Sequence, residues 1–267
     1  MKRALFFTTL AAALMLALPQ DASGQSLREI HSEHFWMGMP LGADATNDLI
    51  IRDLYAACTN DTTKFADWVA YRLTPKEVLG SLDLERRWRA DPWLEPSETL
   101  EPYGPDDYAG AYGALGYDRG HLAPLGSFTG STEASSVNYY SNIVPQTREL
   151  NRGPWRVLEE EVRALVMAHG EVFVVTGCLY DGAPMPSLPE ADESHTVPTG
   201  FFKVVVVPDA GGGSPEIRAY AMPQRLGSGD APENYRTTVD EVERRSGLDL
   251  FWRLEDAVEA SLEASAE

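Results

Sequence analysis

The segment from Tyr117 to Arg163 constrains this chain more than any other. It begins with Asp118-Arg119-Gly120-His121, runs through Asn142-Ile143-Val144-Pro145-Gln146, and closes with Asn151-Arg152-Gly153-Pro154-Trp155, Leu158-Glu159 and Arg163. Asp118 to Phe128 reads as a strand with its turn, and Tyr140 to Val144 as the next strand. Pro154 suits the first turn of a helix, where its missing N–H goes unused, and Gly170 is placed to stop that helix. Trp155, Leu158, Val162, Leu165 and Val166 recur at helical spacing and are expected in a core. Glu159 and Arg163, four apart, share one helix face. A histidine, a neutral amide, a carboxylate and two arginines on such a frame suit cleavage of a phosphodiester. Imidazole takes a proton from water, an amide oxygen holds a hard cation, and guanidinium groups grip a charged phosphorus centre.

As an ordered set these residues resemble the DNA/RNA non-specific endonucleases of the Serratia-nuclease type, within the ββα-metal or His-Me finger superfamily. The signature of that family is an Asp-Arg-Gly-His strand, an Asn-Ile-x-Pro-Gln segment, and a helix carrying Asn and, eight positions later, Glu. Here Asn151 lies 30 positions after His121, and Glu159 lies 8 after Asn151. The similarity runs from about Thr62 to about Leu254 and takes in Lys64 to Tyr71 and Val175-Thr176-Gly177. It implies an α+β fold: a central, mostly antiparallel sheet flanked by helices, with a ββα-metal finger as the active-site unit.

The same resemblance implies roles. His121 is the expected general base, its other ring nitrogen held by a backbone carbonyl. Asn151 is the expected protein ligand of a single Mg2+, with Mn2+ able to substitute, and Glu159 acts on that ion through water. Arg119, Arg163 and Arg86 are expected on non-bridging phosphate oxygens, Arg86 because Arg86-Arg87-Trp88 matches a family segment. Asn142 matches an active-site position that holds the constellation by hydrogen bonds. Asp118 is expected to brace its strand, and His195 to be structural.

Composition sets bounds on this reading. Lys2 and Arg3, the apolar run Ala4 to Leu18 and the small residues Ala22-Ser23-Gly24 form a secretion signal, with cleavage expected after Gly24. The run is too short to favour a membrane span, so the product is expected to be secreted or periplasmic. Residues 25–267 show no repeat or low-complexity linker and read as one domain, with 25–60 a poorly defined lead-in. The formal charge of −19 is the wrong sign for a protein that approaches polyanions at long range. Against it stands a local concentration of Arg86, Arg87, Arg89, Arg119, Arg148, Arg152, Arg156 and Arg163. Of these, Arg87, Arg148 and Arg156 read as surface residues balancing nearby acids. Two cysteines in an exported chain, Cys58 and Cys178, are either a disulfide or two buried thiols, with the bond slightly favoured.

Elsewhere the pattern is plainer. Lys64 to Leu73 alternates as a half-buried strand, while Val172 to Val175, Phe201 to Val207 and Ile217 to Met222 read as buried strands. Arg72 to Pro105 is turn-rich and reads as a surface excursion. His31 and His34 lack further ligand types nearby and read as mobile or surface-packed. Thr238 to Glu241 opens a short helix ended by Gly247, and the acidic end from Glu255 forms an amphipathic helix or frays. The expected function is Mg2+-dependent endonuclease action on DNA and RNA, with little sequence specificity because every named contact is to backbone phosphate. Two alternatives stand beside it: an inactive nuclease-like binding module, and a phosphodiesterase for small nucleotide esters. A homodimer is compatible with the sequence, which carries no signal for or against one.

Overall fold

The computed structural model describes residues 30–80, 86–226 and 229–264; the expected signal segment lies outside them. Among the described residues nine strands are formed: β1 (Asp48–Ile51), β2 (Ala56–Thr59), β3 (Ala66–Leu73), β4 (Tyr117–His121), β5 (Ile143–Thr147), β6 (Val172–Leu179), β7 (Gly200–Val207), β8 (Glu216–Pro223) and β9 (Arg236–Thr237). Seven of them make one sheet in the order β1-β2-β3-β6-β7-β8-β9, antiparallel at every pairing. The remaining pair, β4 and β5, forms a separate antiparallel ribbon. Six α-helices accompany them in the described residues: α1 (Pro75–Val78), α2 (Ala111–Leu115), α3 (Arg148–Arg152), α4 (Pro154–His169), α5 (Val239–Ser246) and α6 (Asp256–Glu263). This is the expected α+β fold. Among the described residues no helix is long and apolar enough to cross a membrane.

The period of two along the strands divides the molecule into layers. On β7, Phe201, Val205 and Val207 enter one core with Trp155, Leu158, Val162 and Val166 of α4. Phe202, Val204 and Val206 enter a second core with Val239 and Val242 of α5. A strand covered on both faces has no solvent side, which is why Phe201 to Val207 reads as a continuous apolar run. The β4–β5 ribbon sits on the α4 side, where Leu122, Ala123 and Ile143 join the first core. Gly170 adopts φ +86° and ends α4 as expected. Thr238 caps α5 by accepting the Glu241 N–H at 3.1 Å.

Four expectations need correction. From residue 30 onward the lead-in is part of the fold: β1 and β2 extend the main sheet, and Met39 is buried in the second core with Phe35, Trp36 and Leu41 packed against it. The alternation there is hidden by strands of only four residues, too short to show a period. Cys58 and Cys178 are free thiols. They lie on β2 and β6, with β3 between them, and face opposite cores, so no disulfide geometry exists. His34 is buried, its Nε2 within 2.7 Å of the Arg52 carbonyl oxygen, rather than mobile. The turn-rich stretch after Arg72 is not only surface: Asp91 and Leu100 are buried in it, and Arg89 bridges to Tyr139. A smaller difference is that Tyr140–Asn142 forms a 3-10 turn and β5 starts at Ile143.

Candidate active site

Between the ribbon, the loop carrying Arg86 and the start of α4 lies a cleft of about 540 Å³. His121 is the last residue of β4 and only 9% exposed. Its Nε2 lies 2.9 Å from Asn138 Oδ1. A carbonyl oxygen only accepts, so Nε2 carries the proton and Nδ1 keeps its lone pair. The holding group is therefore a side-chain amide, not the expected backbone carbonyl. It arises because the 3-10 segment Thr132–Asn138 ends by burying Asn138 beneath the ring. Trp88 packs on the imidazole, centroids 5.4 Å apart. Burial lowers the His121 pKa to about 4, opposed by the Asn138 hydrogen bond and assisted by the Arg86 charge.

Asn151 lies on α3 and lines the same cleft. Its Nδ2 donates to Asp118 Oδ2 at 3.0 Å, which fixes the amide's orientation and leaves Oδ1 as the atom that could hold a cation. Asp118 also accepts two hydrogen bonds from Arg152, at 2.7 Å each. Burial pushes the Asp118 carboxyl up, and the bonds from Arg152 and Asn151 reverse this, so it lies below its ordinary value. Asp118 thus does more than brace its strand: it orients the amide. Gly153 separates α3 from α4, and a Cβ there would run into the Glu149 carbonyl oxygen. This break sets Asn151 on one short helix and Glu159 on the next, both facing the cleft.

Glu159 is half-buried above β7, where Lys203 is fully buried. Lys203 Nζ sits 4.5 Å from the Trp155 ring centroid and 3.4 Å from the Tyr71 hydroxyl. Burial raises the Glu159 pKa, held back by the charges of Lys203, Arg163 and Arg86. Burial likewise lowers that of Lys203, and Glu159 opposes the change.

The arginines fall into different places. Arg119 lines the cleft and is anchored, donating to Asp106 Oδ2 at 2.6 Å and to the Tyr140 hydroxyl at 2.9 Å. Tyr140 in turn donates to Asp106 Oδ1 at 2.8 Å. Arg86 is exposed at the cleft wall. Arg163, expected in the site, is not among the residues that line the cleft, and lies beside one that does, Gly126. Arg156 also lines the cleft although it pairs with Glu160. Asn142 does not reach the cleft. It is fully buried, donating to the carbonyl oxygens of Ala123 and Val137 and accepting the Ala123 N–H at 2.8 Å. With its amide consumed, it holds the turn after His121 and touches nothing in solvent. His195 is far from this chemistry in its bonding: Nε2 accepts the Leu188 N–H.

Asn138, Asp106, Tyr140 and Lys203 escaped sequence reasoning. Only Lys203 left a signal, a lone cation inside an apolar strand.

This layered sheet, with a histidine ribbon and an asparagine helix sharing one cleft, defines a ββα-type nuclease fold. A family model for DNA/RNA non-specific endonucleases matches residues 32–257, and the chain belongs to that family. It is 40% identical over 258 residues to a nuclease of Serratia marcescens, covering 95% of this chain and 91% of that protein. With the mitochondrial endonuclease G of Homo sapiens the identity is 32% over 206 residues, covering 74% of this chain and 67% of the other. A crystal structure of the EndoG/EndoGI complex superposes with a TM-score of 0.68 at 25% identity, covering 82% of this chain and 90% of that one.

Proposed function

We propose that residues 25–267 act as one exported catalytic unit, a Mg2+-dependent endonuclease that hydrolyses phosphodiester bonds in DNA and RNA with little sequence specificity. Export follows from the signal-like residues 1–24, and places the enzyme outside the cytoplasm. The observation that carries the reading is His121: a buried imidazole, locked through Nε2, with a free Nδ1 in the same cleft as Asn151 and several arginines.

The donor set fits a hard cation. Asn151 offers a neutral oxygen oriented by Asp118, Glu159 offers a carboxylate, and neither thiol lies among the residues of the cleft wall. Held by Asn151, with Glu159 acting through water, Mg2+ would supply the positive charge that offsets the negative charge built up at the phosphodiester. His121 Nδ1 takes the proton of the attacking water as its oxygen bonds to phosphorus and the bond to the 3′ oxygen breaks, and that oxygen takes a proton from water to leave as a hydroxyl. Arg119, held rigid by Asp106 and Tyr140, meets the non-bridging oxygens where charge develops, with Arg86 and Arg163 adding to the field. Asn142 keeps the turn after His121 in place. Tyr112, half exposed at the cleft, has the Arg148 and Arg152 guanidinium groups 5.1 and 5.4 Å from its ring centroid. An aromatic face flanked by cations favours a stacked nucleotide beyond the scissile bond, and hence a polymer over a small ester.

Digestion of supercoiled plasmid with Mg2+ against EDTA tests the reading. Nicking only with metal is expected. A protein that binds the plasmid and leaves it intact under any divalent ion is a binding module instead.

A further inference from the structure

On the face of the sheet away from the cleft, α5 and α6 bring together Asp240, Glu243 and Glu263. One carboxylate oxygen from each lies within 4.8 Å of the others. Glu263 is 6% exposed, and its Oε1 has no hydrogen-bond partner. A buried carboxylate oxygen left unpaired costs far more than an exposed one, so the fold retains it only with a compensating charge or proton. Its position makes matters worse, because Glu263 ends α6, where the helix dipole is negative. The charges that act on it, Glu243, Glu259, Asp240 and Asp249, are all acids. The arginines of α5 are engaged elsewhere, Arg244 with Glu241 and Arg245 with Asp181. Glu243 is partly committed, since its Oε1 accepts the Leu250 N–H at 2.6 Å; its second oxygen remains for a ligand.

We propose that Asp240, Glu243 and Glu263 form a divalent-cation site of the Ca2+ class that pins α6 onto α5. Ca2+ takes carboxylate oxygens at about 2.3–2.6 Å in a flexible sphere, so ligand atoms on one ion lie up to about 5 Å apart. The observed separations fall within that limit. Three carboxylates suit Ca2+ better than Mg2+, which keeps most of its waters. Asp240 is exposed and Glu243 half-buried, which gives the ion its entry path and room for water ligands. The role is structural, since α6 packs Leu262 against the second core. It is independent of the chemistry in the cleft.

The test is thermal unfolding of EDTA-stripped protein with Ca2+, with Mg2+ or with neither, using the full chain, Glu263→Gln, Asp240→Asn and Asn151→Ala. Asn151→Ala removes the cleft's ligand, so any Ca2+ response it keeps belongs elsewhere. Full chain and Asn151→Ala are expected to gain about 5–10 °C in Tm with Ca2+ at a hundredfold above its Kd, and less with Mg2+. Glu263→Gln is expected to lose the response and to melt higher than the full chain in EDTA, because one repelling charge is gone. Asp240→Asn, at an exposed position that folding tolerates, is expected to need several-fold more Ca2+ for the same shift. The proposal is overturned if Asn151→Ala shows no Ca2+ response, or if the response survives undiminished in Glu263→Gln or, should that variant not fold, in Asp240→Asn.

Discussion

The proposed role of His121 as a base rests on two features that settle its proton: Asn138 takes the N–H of one nitrogen, and burial keeps the ring neutral. With a pKa lowered to about 4, the neutral form prevails above that pH and is lost below it. Single-turnover plasmid cleavage should therefore rise with pH around 4 and be level at neutrality. His121→Ala should cut about 10²–10⁴-fold more slowly, with that acid limb absent from its residual rate, and should keep its circular dichroism. Asn138→Asp is the sharper probe. A carboxylate beside the ring favours imidazolium, so the acid limb should move up by a unit or more, and an unmoved limb would show that Asn138 does not set the base. The sequence made His121, Asn151 and Glu159 legible because their types and spacing are rare together. Asn138 and Asp118 were not, because what distinguishes them is which amide or carboxylate they touch, and that depends on a 3-10 turn and on the α3–α4 break.

At the level of elements, a lysine of β7 is buried in the apolar core beneath α4. Lys203 is fully buried beside Trp155 and acts electrostatically on Glu159. Removing one partner of such a pair leaves the other uncompensated. Lys203→Met should therefore lose about 3 kcal/mol in urea denaturation. Lys203→Met combined with Glu159→Gln should regain most of that stability without regaining activity, since the carboxylate itself is gone. If the single and double variants are equally unstable, the two residues do not share their charge. The helices and long strands were legible from period and punctuation, with Pro154 and Gly170 bounding α4 as expected. β1 and β2 were not, because four residues carry too few alternations, and neither was the packing of Trp88 on His121, which joins segments with no local pattern in common.

For the whole molecule the salient quantity is charge. A net −19 repels a polyanion from a distance, while the cleft gathers arginines at contact range. Salt screens the first effect beyond about 8–10 Å more than it screens the second. Initial rates on long duplex DNA should fall less steeply with salt than for a basic nuclease, and a steep fall from the lowest salt upward would contradict this. The thiols allow a second global measurement: Cys58 and Cys178 should both react with a thiol reagent on unfolding and be protected before it. The closure of the second core has a further result. Trp252 donates its indole N–H to the Met39 carbonyl oxygen, Leu41 bridges to Asp249, and Trp36 packs edge-on against Phe251. These partners stand more than two hundred positions apart, so a growing chain has already released every residue of the cleft before its early hydrophobic segment finds its cover. A scaffold closed in that order is complete only once the segment from Asp249 to Trp252 is in place.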